Sequence, residues 1–467
     1  MNSEYQRLDA EASDVERQMQ ELSKTINLDS ASAHAAFERR MAQLGGKLAS
    51  LRQGLALVRT ASSLEMQKRE SEFVKSLPQK CHSQGLRKNA VHLAYGVTVT
   101  LHITYYHRCK CPTVTARHGR RGLFPILMLL GISRRFTPRA RKSMAQAAAL
   151  LGSYEEAAQM LEEQGLEISV NQLREVTAGM GRMLKRLTNQ GSLAAKGDLS
   201  GRRIVVSLDG GRVRLRERRR GKTKKGRKRF HAAWREPRLF IIYAVDDEGR
   251  MADDFPPVID GCLGSCNELF AMLLAYLKGF NLTLAARLLI VADGATWIWN
   301  RVPGLLKALG LKNEQVQQLV DFWHAVQYLV KIAESTSLTG ARQKQWVTTQ
   351  KNRLLRGEIG SVVKELNTQI GSRKTKEQTT WLNYFITNGL TNRRMDYFQS
   401  RVHKMPIGSG AIESAIRRII NLRVKSNAVY WLRDNAETMI RLRSWIKAGR
   451  AEELFHYTTC VTPGLAL

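Results

Sequence analysis

Apolar residues change their period several times along the chain, and each change marks a predicted element. In residues 1–75, Leu8, Val15, Met19 and Leu22 fall near helical spacing, and Phe37, Met41 and Leu44 repeat the pattern in a stretch without proline. One or two amphipathic helices are expected there, a coiled-coil hairpin included, packed either on their own chain or as a dimer interface. The texture then turns to β in Val97-Thr-Val-Thr-Leu-His-Ile-Thr-Tyr-Tyr. Helical spacing returns from about 137 to 190, with Thr137-Pro-Arg, Ser153-Tyr-Glu-Glu and Ser169-Val-Asn-Gln as three helix starts. Ser153 followed three residues later by Glu156 has the form of a capping box.

From 203 to 335 strand and helix alternate. Short β-branched runs predict strands at 203–209, 238–246, 287–293 and about 316–322. Longer periodic segments predict helices at 266–279 and 297–309, and another starting near His324. Residues 335–405 read as polar helices, with Trp346, Trp381 and Tyr384 spaced as buried anchors. After them a glycine turn, Gly408-Ser-Gly, opens one more apolar-periodic helix.

These boundaries give an expected organisation: a helical region at 1–75, a small β-rich region at 76–135, and a helix-turn-helix-like region at 136–195. An α/β core at 200–335 and 405–450 follows, interrupted by a helical insertion at 336–404 and trailed by a tail at 451–467. A chain of 467 residues is about three domains' worth.

Charge narrows the function. Lys and Arg number 74 against 41 Asp and Glu, a formal net charge of +33. Self-repulsion of that size points to a polyanionic partner, nucleic acid first and an anionic membrane surface second. No run approaches the ~20 apolar residues of a transmembrane helix, and the first residues do not resemble a signal peptide. The six cysteines are sparse and unevenly spaced, which argues against a disulfide framework. A cytoplasmic, nucleoid-associated protein is the expectation.

The chemistry concentrates in three acidic residues. Asp209 closes Arg203-Ile-Val-Val-Ser-Leu-Asp-Gly-Gly, Asp293 closes Leu288-Leu-Ile-Val-Ala-Asp-Gly-Ala, and Glu413 lies in Gly408-Ser-Gly-Ala-Ile-Glu-Ser. Apolar runs ending in Asp-Gly read as buried strands whose last side chain emerges at the sheet end. Carboxylates brought together from separate elements repel and raise each other's pKa unless a cation neutralises them. Hard ions such as Mg²⁺ take oxygen ligands, and a carboxylate-held metal pair about 4 Å apart is a device for phosphodiester chemistry. A DNA-handling nuclease or transposase is the reading.

Other residues join it as candidates. Cys81, Cys109 and Cys111, with His82 or His107, offer four zinc ligands. The paired Cys-x-x-Cys knuckles of a zinc ribbon are missing, so a ribbon with leftover thiols is the competing and favoured reading. In the helix-turn-helix-like region the helix Ser169 to Arg186 is the candidate recognition helix, with Arg174, Arg182, Lys185 and Arg186 in reach of phosphates, or else a structural pair. The run Arg212 to Arg229 includes Arg218, Arg219, Arg220, Lys224 and Lys225 and reads as a loop, either merely solvated or clamping a DNA backbone.

The set Leu208-Asp-Gly-Gly, Val291-Ala-Asp-Gly-Ala-Thr-Trp-Ile-Trp, Asp321-Phe-Trp-His-Ala and Ile407-Gly-Ser-Gly-Ala-Ile-Glu-Ser resembles bacterial insertion-sequence DDE transposases. The nearest group is the ISKra group, with a looser likeness to Mutator-like transposases, and the resemblance covers about residues 80 to 445. It implies a ribonuclease-H-like fold, a mixed sheet flanked by helices and interrupted by a helical insertion. It also implies a catalytic triad at Asp209, Asp293 and Glu413, with two Mg²⁺ or Mn²⁺ ions bridged by Asp209. Asp321 and His324 become accessory catalytic candidates, or else a capping Asp with a half-buried His. Trp297 and Trp299 are candidates for stacking on an unpaired base, or core. Arg417 and Arg418, in the helix after Glu413, join the DNA-binding set. The implied activity is cleavage of element ends in double-stranded DNA and joining of the 3′-hydroxyl to target DNA, by a homodimer or higher oligomer. A structure-selective nuclease or resolvase, a non-catalytic DNA-binding derivative and an RNA-binding scaffold are the rival readings.

Overall fold

The computed structural model describes residues 2–25, 29–77, 80–108, 122–189, 198–223, 226, 228–425 and 429–459. The chain divides into two compact units, Met1–Arg186 with Glu452–Leu467, and Leu187–Ala451. In the first, α1 (Asn2–Thr25) is long and amphipathic, α2 (Ala31–Ser62) is long and buries residues only from Leu44 onward, and α3 (Leu64–Ser76) follows a Ser63 cap. Leu8, Ala12 and Val15 of α1 and Leu51, Leu55 and Val58 of α2 share a core with Val91, Val99, Leu101 and Ile103. Those β residues come from the antiparallel pair β1 (Cys81–His92) and β2 (Thr98–Arg108), extended by the two-residue β3 (Gly122–Leu123). Much of the apolar stripe of the N-terminal helices is therefore packed on the chain's own sheet, while Phe37 and Met41 of the predicted pattern are only partly buried.

A short helix, α4 (Pro125–Leu129), leads to three more: α5 (Pro138–Leu150), α6 (Tyr154–Glu163) and α7 (Val170–Asn189). Their starts lie where the polar caps predict. Thr137 accepts from the Ala140 N–H, Ser153 from Glu156 and Ser169 from Gln172, each meeting one of the unpaired donors of a helix start. Met144, Ala148, Leu161, Leu173 and Val176 form their common core.

The second unit is a mixed α/β structure. Its five-stranded sheet has the order β10-β9-β4-β7-β8, from β4 (Arg203–Gly210), β7 (Arg238–Val245), β8 (Val258–Cys262), β9 (Arg287–Ala292) and β10 (Val316–Val320). β4 runs parallel to β9, and β9 to β10. β4 is antiparallel to β7, and β7 to β8. β4, β7 and β9 are almost wholly buried, so they read as continuous apolar runs, as sheets covered on both faces do. β8 had no counterpart among the predicted strands.

The segment between β4 and β7, expected to be a loop, is instead a two-stranded antiparallel ribbon of β5 (Val213–Lys222) and β6 (Lys228–Arg235). Helices α8 (Cys266–Lys278), α9 (Thr296–Trp299), α10 (Val302–Leu309) and α11 (Phe322–Glu334) follow. The expected helix at 297–309 is broken in two, with Pro303 in the first turn of the second piece, where its missing N–H is harmless. The polar stretch after residue 335 forms α12 (Gly340–Leu355), α13 (Ile359–Ile370), α14 (Lys376–Phe385) and α15 (Tyr397–Val402). The chain then returns to the sheet with α16 (Gly410–Ile416) and α17 (Arg433–Lys447). The last helix, α18 (Ala451–Thr459), belongs almost wholly to the first unit. Among the described residues no helix is long and apolar enough to cross a membrane.

Candidate active site

Strand register brings the acidic residues together. Leu208, Ala292 and Val320 lie in one row across the parallel strands β4, β9 and β10. The next residues along the three chains are Asp209, Asp293 and Asp321. All three therefore leave the sheet at the same C-terminal edge, where parallel α/β sheets open a crevice. Asp321 is tied into the row by its N–H, which donates to the Ala292 carbonyl at 2.7 Å.

Glu413 reaches the same edge from α16, which packs on β4 and β7. A close approach makes this possible. A Cβ on Gly211, just past Asp209, would come within 2.7 Å of Ile420 in the turn following α16, so the glycine lets this stretch lie against the strand end.

Electrostatics records the convergence. Burial pushes the Asp209 carboxyl up to about 6, and the charges of Asp293 and Glu413 push it the same way. The Gly210 N–H, 2.6 Å away, and His324 oppose them. Asp293, Glu413 and His324 thus all lie close enough to act on the Asp209 carboxyl. Asp293 is held in shape by two contacts: its Oδ1 accepts from the Ala295 N–H at 2.9 Å, and its carbonyl accepts from the Trp299 indole at 2.6 Å.

Asp321 works differently from its neighbours in the row. It is 1 % exposed and caps α11, accepting from the His324 N–H at 2.7 Å. Its other oxygen accepts from the Ser409 N–H and, at 2.7 Å, from the Ser409 hydroxyl, which lies 3.3 Å from Glu413 Oε1. Asp321 is thus the cap of α11. It fixes the helix of His324 to the turn that launches Glu413. Ser409, which no spacing rule singled out, is the link. His324 Nδ1 is buried without a partner among the described residues.

Tyr384, expected only as a buried anchor, is part of this edge. Its ring lies on Gly294, where a Cβ would come within 2.3 Å, and against Tyr328 with centroids 4.3 Å apart. Its hydroxyl is buried and unpartnered among the described residues. Burial, then Tyr328, Asp293 and Asp321, drive its pKa far above the usual range. The glycine of the second Asp-Gly pair is thus required by a ring from α14, a contact that no local pattern announces.

The remaining candidates divide. Trp299 is 4 % exposed, with its indole N–H spent on Asp293 and the Arg394 guanidinium over its ring at 4.5 Å. It is a core anchor of the Asp293 loop and offers no face to a base. Trp297 is half-buried, edge-on to Phe270 and under Arg238 at 5.2 Å. Arg417 is exposed and Arg418 half-buried, its carbonyl accepting from Arg443. Arg186 is exposed on α7, whereas Arg174 pairs with Glu155 at 3.2 Å, which compensates its charge. Arg218, Arg219 and Arg220 are exposed on β5. Lys224, Lys225, Cys109 and Cys111 lie outside the described residues.

The proposed zinc set is split by the sheet pleat. His82 pairs directly with His107 across β1 and β2, while Cys81 pairs with Arg108. Successive residues face opposite ways, and Cys81 turns with Tyr106 toward the apolar cluster of Phe73, Leu77 and Leu123. Cys81 and His107 therefore do not share a face, and Cys109 and Cys111, the other candidates of that set, lie outside the described residues.

By donor type, the oxygens of Asp209, Asp293 and Glu413 suit a hard divalent cation, and a cation would favour the charged form of Asp209 that burial first, and the neighbouring acids second, now disfavour. Among the described residues no three His, Cys, Asp or Glu side chains are closed around a single metal position. The carboxylates converge on one edge without forming a finished cage.

No protein-family model matches the chain, and no curated protein does. One solved structure, of the Drosophila P element transposase strand transfer complex, is similar over 66% of this chain and 79% of that chain, at 11% identity and a TM-score of 0.23.

Proposed function

We propose that the protein is a DNA transposase of the DDE type, similar to those of bacterial insertion sequences of the ISKra group, which cuts element ends and joins the 3′-hydroxyl to target DNA. One observation carries this reading: Asp209 and Asp293 follow paired residues of adjacent parallel strands, and the helix that bears Glu413 packs on the first of those strands. The sheet, three strands antiparallel in succession and then two more parallel to the first, supports a ribonuclease-H-like core, with α12 to α15 as its helical insertion.

In this reading Asp209, Asp293 and Glu413 hold Mg²⁺ or Mn²⁺. When bound, such ions supply Lewis-acid polarisation of a phosphodiester and an activated water. The chain's own residues prepare the place. Asp321 and Ser409 orient Glu413 and start the helix of His324, so both are positioning residues. His324, whose Nδ1 is buried without a partner among the described residues, stands beside these carboxylates as the accessory candidate. The net charge of +33 holds the polyanion against the carboxylate edge. Double-stranded DNA is the substrate, and pairing of two element ends requires at least a dimer.

The test is cleavage of labelled duplexes carrying the gene's own flanking DNA, with Mg²⁺ or Mn²⁺, by the wild type and Asp293→Asn. Cation-dependent 3′-hydroxyl ends at the element boundary, lost in the variant, are expected. Binding without cutting by either protein would favour a non-catalytic DNA binder. Preference for branched junctions over flanking ends would favour a resolvase.

A further inference from the structure

The β5–β6 ribbon has two unlike faces. Val213 and Leu215 on β5 are fully buried. Between and beyond them Arg214, Arg216 and Arg218 point the other way, directly opposite Trp234, Ala232 and Phe230 of β6. A third segment extends this outer face. Trp431 lies beside Leu215, its N–H donating to the Arg214 carbonyl at 3.1 Å and its carbonyl accepting from the Arg216 N–H at 2.7 Å. Trp431 is buried like Leu215, so the flanking Tyr430 and Leu432 turn outward with the arginines.

The outer face leaves large rings in water: Trp234 is 53 % exposed, Tyr430 48 % and Phe230 37 %. They are interleaved with cations. The Arg214 guanidinium sits 5.3 Å from the Trp234 centroid and 5.0 Å from Tyr430, and Arg216 sits 4.4 Å from Phe230. Toward the ribbon's tip, Arg216, Arg219, Lys228, Arg229 and Phe230 line an open depression. Glu217, the single acid of the two strands, is on the opposite face. It is taken there by a bidentate pair with Arg235, both bonds 2.7 Å. The outer face is therefore aromatic and positive, with no carboxylate on either strand to compensate it.

We infer that this face binds a short run of unpaired nucleotides, its rings stacking on bases and its arginines holding the intervening phosphates. Duplex DNA is a poorer fit, since its bases are stacked on each other and offer grooves only their edges. A single strand presents the base faces that exposed rings can use, and aromatic rings set in a basic surface are how sequence-tolerant binders take them. Each guanidinium covers part of a ring and limits its rotation, which lowers the entropy lost on stacking while leaving the charge in place. The inference rests on the nucleic-acid reading of the protein and is independent of catalysis by the carboxylates. It places single-stranded DNA, such as a flank separated at a cut, on a surface assigned above only to charge.

The experiment measures binding of the full-length protein to three fluorescent probes: oligo-dT, the same strand with abasic sites, and a duplex of equal length. The wild type is compared with Phe230→Ala/Trp234→Ala/Tyr430→Ala. If each lost stack is worth ~1–3 kcal/mol, the triple variant should bind oligo-dT at least about tenfold more weakly. Its affinity for the abasic strand and the duplex should change by less than about twofold. All three positions are exposed, and Trp234→Tyr, which keeps a ring, should restore most of that position's share. Equal wild-type affinity for oligo-dT and the abasic strand would overturn the inference, because phosphate contact alone would then explain binding. A variant whose oligo-dT affinity is unchanged but whose mass in solution falls would overturn it too, making the face a contact between copies. Duplex binding that survives either result leaves the transposase reading intact. Loss of all nucleic-acid binding by the wild type would remove both.

Discussion

At the scale of single residues, Asp209 shows what the carboxylate edge costs. Its carboxyl is raised to about 6, first by burial and then by Asp293 and Glu413. A folded-state pKa above the unfolded value means that the stability it contributes is complete below about pH 4. That contribution is lost as pH climbs through about 6, where the buried charge forms. The shift of about two units corresponds to ~3 kcal/mol at most. Asp209→Asn should therefore raise the melting temperature at pH 7.5 without divalent cations, by a few degrees, and have little effect at pH 4. A thermal scan across that window checks it, and equal shifts at both pH values would mean that the charge is not the cause. Asp321 and Ser409 carry a different lesson. The Asp321 carboxylate accepts from the His324 N–H and from the Ser409 N–H and hydroxyl, so this acid of the row ties two segments together.

Elements are held in place by contacts remote in sequence. α17 is fastened to β8 by Arg441, whose Nε and Nη2 donate to Asp260 at 3.1 and 2.9 Å. Asp260 also accepts from Tyr276 of α8 at 2.8 Å, and the pair is 2 % and 0 % exposed by side chain. Removing one member of a buried pair leaves the other charge uncompensated, at a cost of ~3–5 kcal/mol. Asp260→Ala is expected to lose that much in chemical denaturation. Asp260→Ala combined with Arg441→Met should recover part of it, and no recovery would argue against an uncompensated charge as the cause. β8 exists on the same account: Val258-Ile-Asp-Gly-Cys contains the Asp-Gly of a turn, and it is the bonding to α17 and α8 that keeps it extended against β7.

For the whole molecule the governing quantity is charge. With +33 to accommodate, association with any nucleic acid should weaken steeply with salt. The expected slope of log K against log salt is about 0.9 per phosphate on duplex and about 0.7 on a single strand. Changing Arg218, Arg219 and Arg220 together to Gln should lower the slope on oligo-dT by up to ~2. An unchanged slope would mean that the outer end of β5 points away from the strand.

Much of this protein was legible in local pattern. The caps at Thr137, Ser153 and Ser169, the buried strands that end in Asp209 and Asp293, and the helix opened at Gly408 all follow from periods and turn residues spanning a few positions. Such signals survive because capping and strand burial depend on neighbours in sequence. The rest depended on neighbours in space. Arg-rich β5 shows almost no apolar alternation beyond Val213 and Leu215, so it reads as a loop. It becomes a strand because backbone pairing with β6 and with Trp431 does not depend on which side chains are present. Trp299 could have met a base or the core, and only the fold buried it beneath Arg394. The links Asp321–Ser409 and Asp260–Arg441 span 88 and 181 residues. Sequence alone determined which acids stand at strand ends and that the chain carries a large positive charge. Tertiary structure decided which acid positions and which remains open to a ligand, because hydrogen-bond partners are assigned only when distant segments meet.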